Sequence, residues 1–197
     1  MELLPTDLHP LIMRRRSLRA IDPARPVPAE VLARLLEAAR WAPSSGNTQP
    51  WRLVVVNEPE ALARAREALK PGNRTWADRA PLLVVVCANP EDDGIFYGQP
   101  LYLFDCGSAT ENLLLQGIAE GLVVHPMAGW DEEPMRSALD IPDPYRAVVV
   151  VAIGHPGRLE DLPEALQQRE MAERMRKPLA ELTHYDRWIT EKGEEGQ

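Results

Sequence analysis

Long apolar runs are scarce in this sequence. The two longest, Leu82–Ala88 and Ala147–Ile153, fall far short of the roughly eighteen residues that a bilayer-spanning helix needs, so neither a membrane span nor a membrane partner is expected. Cysteine is scarcer still. Cys87 lies in a strand-like stretch and Cys106 in a helix-like one, which reads as two buried apolar thiols and excludes a disulfide framework. Positive charge is in deficit, with 22 Lys and Arg against 30 Asp and Glu and a net charge of −8. A general nucleic-acid binder needs a basic face to neutralise phosphates, so that class is set aside. The histidines, at positions 9, 125, 155 and 184, lack metal-ligand spacing, and no bound metal is expected. Neither G-x-G-x-x-G nor G-x-x-x-x-G-K-[ST] occurs, which excludes a dedicated Rossmann dinucleotide site. Internal repeats and low-complexity segments are also missing.

What remains is the composition of a soluble globular domain, 45% hydrophobic and 26% charged over 197 residues. That length supports one sizeable core but not two domains with a linker, so residues 1–197 are read as a single domain. The N-terminal stretch MELLPTDLHPLIMRRRSLR places its positive charges after the apolar residues and offers no small-residue cleavage site. This is the reverse of a secretory signal, and a cytoplasmic location is expected.

Along the chain, Val31, Leu32, Leu35, Leu36 and Ala39 recur at helical spacing, predicting an amphipathic helix from Pro28 to Trp41 that Pro43 ends. Arg52–Val56 reads as a strand. A helix to about Leu69 follows, with Asn57 as its cap and Glu60 in capping-box position, and then a Gly/Asn/Pro loop. Leu82–Ala88 and Ala147–Ile153 do not alternate, as expected of strands buried on both faces in a sheet covered by helices. Leu101–Glu120 predicts a long central or interface helix terminated by Gly121. Leu122–His125 is a short strand, and Pro134–Leu139 a short helix opened by Asp131. From about residue 155 onward, mixed charges and a break at Pro178 leave nothing to form a separate core. That arm must pack on something else, and a partner subunit is the natural surface.

Two clusters could carry chemistry. In Arg15-Arg16-Ser17-Leu18-Arg19, a helical conformation would put Arg15 and Arg19 on one face with Ser17 near the turn edge, able to chelate a phosphate. Taken by itself, such a cluster reads more readily as a solvated basic face. The second, Ala42-Pro43-Ser44-Ser45-Gly46-Asn47-Thr48-Gln49-Pro50-Trp51, lies between a helix and a strand. Prolines fix its backbone, Gly46 frees it, and short polar side chains could be aimed at a ligand, although a plain connector would look similar. Asp105, Glu111 and Asn112 in the long apolar helix read as interface hydrogen-bond partners rather than catalysts. Trp41, Trp51, Trp76, Trp130 and Tyr97 read as core, with Trp76, Tyr97 or Trp130 as candidates to line a pocket.

Taken together, RRSLR and PSSGNTQPW resemble the paired signature of the FMN-dependent nitroreductase family. Asp105, Gly107, Ala109, Asn112 and Leu113–Leu115, with Gly121-Leu122, are similar to its long central helix, and Arg174-Met175-Arg176-Lys177-Pro178-Leu179 to its late basic stretch. The resemblance runs in order from about Leu11 to Trp188. It implies an α+β three-layer sandwich with a mainly antiparallel sheet, an intertwined homodimer with exchanged C-terminal arms, and FMN at the subunit interface. By the same resemblance, Arg15 and Ser17 serve the phosphate and ribityl end, Arg19 the pyrimidine edge, Arg16 is a further cofactor-binding residue, and Arg174 and Arg176 complete the phosphate site. Pro43, Ser44, Ser45 and Asn47 reach the flavin from the other subunit, Asn73 bonds the pyrimidine edge, and the stretch Pro126-Met127-Ala128-Gly129 falls where the family presents backbone N–H groups to N5 and O4.

The chemistry suits those residue types. Guanidinium forks match a flavin phosphate better than ammonium groups do, and Arg19 at the N1–C2=O2 edge would stabilise the charge that reduction places there. NADH or NADPH would meet the flavin at its open face, followed by a small-molecule acceptor such as a quinone or nitroaromatic, in ping-pong order. The sequence departs from the family pattern at Ala128, where some relatives carry an acidic residue, at Trp76, where relatives offer a lysine, and in the short aromatic stretch from Pro90 to Tyr102. These departures bear on the substrate. Dehalogenation, azoline oxidation, oxygen-dependent flavin cleavage, a non-catalytic flavin-binding dimer and an unrelated interaction module remain alternatives.

Overall fold

Four segments form one antiparallel sheet: β1 (Trp51–Val56), β2 (Leu82–Ala88), β3 (Val123–Met127) and β4 (Arg146–Gly154), in the order β1-β2-β4-β3. The computed structural model describes residues 8–92 and 99–188. Every residue of β2 is buried, and its side chains divide by period two. Leu83, Val85 and Cys87 enter one apolar layer and Leu82, Val84, Val86 and Ala88 the other. The non-alternating sequence thus reports a sheet covered on both sides. Burial pushes the Cys87 thiol up to about 11, and Cys106 is likewise buried.

One cover is made by α2 (Ala29–Arg40) and α5 (Leu101–Ala119). In α5, Cys106, Ala109, Leu113 and Leu114 face the sheet. The helix stops at Gly121, whose φ of +72° suits a residue without Cβ. There the Leu122 N–H donates to the Gly117 carbonyl at 2.9 Å and the Gly121 N–H to that of Ile118 at 3.1 Å, which satisfies two terminal acceptors. The opposite cover contains α3 (Pro59–Glu67), α4 (Pro71–Ala77) and α6 (Glu132–Ala138). The result is the expected α+β three-layer sandwich. A short α1 (Pro10–Arg14) precedes it, and α7 (Glu164–Met171) and α8 (Leu179–Leu182) follow it.

Several local expectations are corrected. Residues 71–77 are helical, not a loop, because Pro71 is preset for a first helical turn and burial of Trp76 and Ala77 outweighs the preferences of Gly72 and Asn73. Glu58, not Asn57, occupies the N-cap position of α3, without a side-chain capping bond, since Pro59 takes the first helical position and shifts the start by one residue, which removes the capping-box spacing. The arginine segment is not helical beyond Arg14: Arg15 has φ −58° and ψ 122°. Trp41 is 72% exposed instead of buried, its indole N–H donating to Glu37 beneath the Arg40 guanidinium. Tyr97 falls outside the described residues.

Neither α7 nor α8 contains a wholly buried residue, although the Glu170 side chain of α7 is covered. Met171, Met175, Leu179, Leu182, Tyr185 and Trp188 are exposed along this arm, and no helix among the described residues is long and apolar enough to cross a membrane.

The chain leaving Arg19 is fastened beside the end of β4. Ile21 bridges Pro156, the Asp22 N–H donates to the His155 carbonyl at 2.9 Å, and the Gly157 N–H donates to that of Ala20 at 2.9 Å. The approach is so close that a Cβ on Gly157 would lie 2.6 Å from the Ile21 carbonyl carbon and 2.8 Å from its oxygen. Backbone cannot swing aside as a side chain can. Gly157→Ala is therefore expected to cost about 1–3 kcal/mol, measurable as a lower urea midpoint at unchanged m-value.

Candidate functional site

The arginine segment is extended because side chains from distant parts of the fold take the hydrogen bonds that a helix would have made internally. Arg174 Nη1 donates to the Arg15 carbonyl at 2.7 Å. Arg16 Nη2 donates to the Ala172 carbonyl at 2.7 Å. Glu170 accepts from both the Arg19 backbone N–H at 2.9 Å and Arg19 Nη1 at 3.0 Å. The two ends of the chain are thus laced together over residues 15–19 and 170–174. Within the strap, Arg15 Nη1 donates to Ser17 Oγ at 3.2 Å, and Arg15 Nε lies 4.0 Å from Glu111 of α5.

The strap also rests on edge strand β3. His125 Nδ1 lies 3.0 Å from the Leu18 carbonyl, and its ring packs on Trp76 with centroids 4.4 Å apart. Burial foremost, helped by the nearby Arg19 charge and opposed by the Leu18 hydrogen bond, pushes the His125 imidazole down to about 4. The ring is therefore neutral at pH 7, with Nδ1 the proton donor to Leu18. Immediately after β3 comes the turn containing Ala128 and Gly129. Asn73 Nδ2 donates to the Gly129 carbonyl at 3.0 Å and fills the space that a Cβ at residue 129 would need. Lys70 N–H donates to the same carbonyl at 2.9 Å, and Trp130 Nε1 to that of Met127 at 2.9 Å. Among the described residues the Gly129 N–H has no acceptor. The Leu18–His125 bond, the packing of His125 on Trp76 and the Asn73–Gly129 bond connect the strap, β3 and α4, and Arg174 holds the strap at Arg15.

The Pro43–Asn47 loop lies against the other layer. It is a 3-10 turn, Ser45–Asn47, with positive φ at Gly46 (55°), Asn47 (58°) and Gln49 (50°). Gly and Asn adopt this conformation readily, whereas Gln49 does so at a cost of order 1 kcal/mol. The Ser45 N–H donates to the buried Asp105 carboxylate of α5 at 3.0 Å, and the Gln49 N–H to Ser44 Oγ at 3.0 Å. Pro43, Ser44 and Ser45 line a small cavity with Leu101, Phe104 and Asp105. Leu103 and Phe104, at the same end of α5, are exposed.

Not every candidate converges. Arg176 is exposed and donates to the neighbouring Met175 carbonyl. Arg174 grips backbone and does not extend a free fork. Asp105 and Asn112 bond within the chain, Asn112 Nδ2 donating to the Ala38 carbonyl at 3.1 Å. Glu170 and His125 were not singled out from sequence, although both contact the strap. Glu170 sits in a mixed-charge helix, and no spacing pattern pairs it with an arginine 151 positions earlier.

A model of the nitroreductase family matches residues 12–74 and 62–155. A protein of Archaeoglobus fulgidus with the provisional name NADH dehydrogenase/NAD(P)H nitroreductase is 36% identical over 163 residues, covering 79% of this chain and 88% of that protein. The 5,6-dimethylbenzimidazole synthase of Rhodospirillum rubrum is 31% identical over 181 residues, covering 80% and 85%. Among solved structures, an oxidoreductase described as containing FMN superposes with a TM-score of 0.83 at 33% identity, over 93% of this chain and 94% of that one.

The buried imidazole makes stability depend on pH. The folded-state value of His125, about 4, lies below the ordinary 6.5. Between those values the unfolded chain binds a proton that the folded one does not, so stability is full above 6.5 and falls as pH drops towards 4. His125 alone is expected to remove about 2 kcal/mol between pH 7 and 5. His155, also held below its ordinary value chiefly by burial, adds in the same direction. Urea denaturation of wild type and His125→Gln at the two pH values checks this, the variant showing the smaller pH difference.

Proposed function

The chain belongs to the nitroreductase family, and on that premise we propose that it is an FMN-dependent oxidoreductase moving electrons from NADH or NADPH to a small electron-poor acceptor such as a quinone or nitroaromatic. The observation that carries this reading is the strap. The strap that carries Arg15, Ser17 and Arg19 bonds through Leu18 to His125 of β3, the strand that leads to Gly129, and His125 packs on Trp76 of the helix that carries Asn73.

The donor set fits the cofactor. A phosphate monoester carries close to two negative charges, and the Arg15 guanidinium with the Ser17 hydroxyl beside it offers N–H and O–H donors of suitable spacing. Arg16 and Arg174, tied into the same strap, add positive potential around that fork in a chain of net charge −8. Arg19 Nε and Nη2 have no protein acceptor among the described residues, which suits them to the pyrimidine edge, and Asn73 Oδ1 is likewise available to that edge. Among the described residues the Gly129 N–H is a donor without an acceptor, as a main-chain contact to the ring requires. When bound, FMN supplies two-electron acceptance and release, so donor and acceptor can be served in turn at one face. The protein's part is to hold the ring, keep one face open and place positive charge where reduction puts negative charge.

The site is completed, in this reading, by a second copy of the chain. The arm from Met171 to Trp188 exposes a series of large apolar residues, as do Leu103 and Phe104, and a monomer would leave that area in water. A homodimer with FMN at the interface covers it and lets Pro43, Ser44, Ser45 and Asn47 of one subunit meet the strap of the other.

A second reading keeps the flavin and changes the reaction. The similarity to a 5,6-dimethylbenzimidazole synthase favours it, together with Ala128 and Trp76, which remove side chains that relatives place near the ring.

The purified protein titrated with FMN is expected to bind it with a shift in the oxidised-flavin bands, which bleach on adding NADH or NADPH and return on adding a quinone or nitroaromatic. Binding without bleaching by either nucleotide would reject the reductase and leave the second reading. Mixing variants tests the shared site. Asn47→Ala and Arg15→Ala homodimers should each be impaired, whereas their mixed dimer carries both lesions at one site and none at the other, and so regains about half of the wild-type activity per dimer.

A further inference from the structure

Arg19 does not present an isolated positive charge. Its guanidinium lies 3.0 Å from Oε1 of Glu170, whose side chain is only 6% exposed, while Oε2 of the same carboxylate accepts the Arg19 backbone N–H at 2.9 Å. A carboxylate so deeply covered keeps its charge through partners, and the partners here are two donors of one residue. The arrangement therefore fixes both the position of Arg19 along the strap and the direction of its side chain. It spends one N–H and leaves Nε and Nη2 without a protein acceptor among the described residues. It also sets the local charge. Arg19 and Glu170 sum to zero, and the neighbouring His125 is neutral at pH 7, so the pair brings little net charge to the place where Arg19 alone would bring a full one.

We propose that Glu170 is a positioning residue that aims Arg19 at the flavin edge and offsets its charge, holding the reduction potential of the bound cofactor below the value an unpaired arginine would impose. The inference rests on the FMN reading and on Arg19 facing the edge that gains negative charge. Its physical content is electrostatic. In a partly dehydrated site a carboxylate about 3 Å from the guanidinium opposes each increment of negative charge on the ring that the guanidinium favours. Removing the carboxylate charge leaves +1 and removing the guanidinium charge leaves −1. Removing both restores zero. Glu170→Gln keeps an oxygen for one of the two hydrogen bonds, so charge changes more than shape does.

The test is a charge cycle read by dye-coupled potentiometry of the FMN-loaded protein, with FMN affinity measured alongside. Glu170→Gln should raise the midpoint potential, Arg19→Gln should lower it, and the double variant should return to near the wild-type value. Glu170→Asp, which keeps the charge, should also stay near wild type. These shifts are not those of a merely structural prop, whose loss would weaken FMN binding in each Glu170 variant and leave the potential in place. An unchanged or lowered potential in Glu170→Gln overturns the proposal. If Glu170→Gln does not fold, the comparison of Arg19→Gln with the double variant decides: a double variant no higher in potential than Arg19→Gln also overturns it. Failure of the wild-type protein to bind FMN is a different result, which removes the functional reading itself and this inference with it.

Discussion

A single carboxylate, Glu170, joins the beginning of this chain to its end. It accepts the Arg19 backbone N–H and guanidinium together, and around that junction Arg16 holds the Ala172 carbonyl and Arg174 holds the Arg15 carbonyl. An extended segment with unpaired backbone groups would be costly against a protein surface. These contacts provide the partners, so the strap can run extended past β3, where Leu18 bonds His125. The bridge Ile21–Pro156 and the close approach at Gly157 fix where the strap enters the body of the fold.

The sandwich beneath it supplies rigidity. With β2 wholly buried and alternate side chains serving two apolar layers, the sheet cannot shift register without exchanging both cores at once. His125 transmits that rigidity outward. It belongs to β3, packs on Trp76 of α4 and bonds Leu18 of the strap, so sheet, helix and strap meet at one neutral imidazole. Asn73, from the same short helix, then ties down the Gly129 turn. The Pro43–Asn47 loop is built on the other layer by Asp105. The strap and this loop therefore stand on opposite layers of the sandwich, and the proposed function joins them through a second copy of the chain.

Much of the architecture was legible in the residues. The valine and leucine runs became β2 and β4, the long apolar stretch became α5, and Gly121 ended it with the hydrogen bonds that such a glycine permits. Local signals misled where a neighbour overruled them. Pro59 moved the start of α3 by one residue, burial of Trp76 turned an expected loop into α4, and Trp41 faced solvent from the end of α2. The strap was misjudged for a related reason, since the i, i+4 spacing of Arg15 and Arg19 suggests a helix only while their long-range partners are unknown.

Period and the placement of proline and glycine were sufficient to specify the main helices and a sheet covered by helices, whereas the antiparallel direction of the strands was implied only by the family resemblance. The helices and the covered strands arise from interactions among near neighbours in sequence or from a residue's own conformational preference, and both are written locally. Which donor meets which acceptor was decided by the tertiary structure alone. Leu18 and His125 are separated by 107 positions, and Arg19 and Glu170 by 151, so neither pair leaves a trace in any local pattern. Whether an arginine offers a bare charge or a balanced one depends on such distant partners.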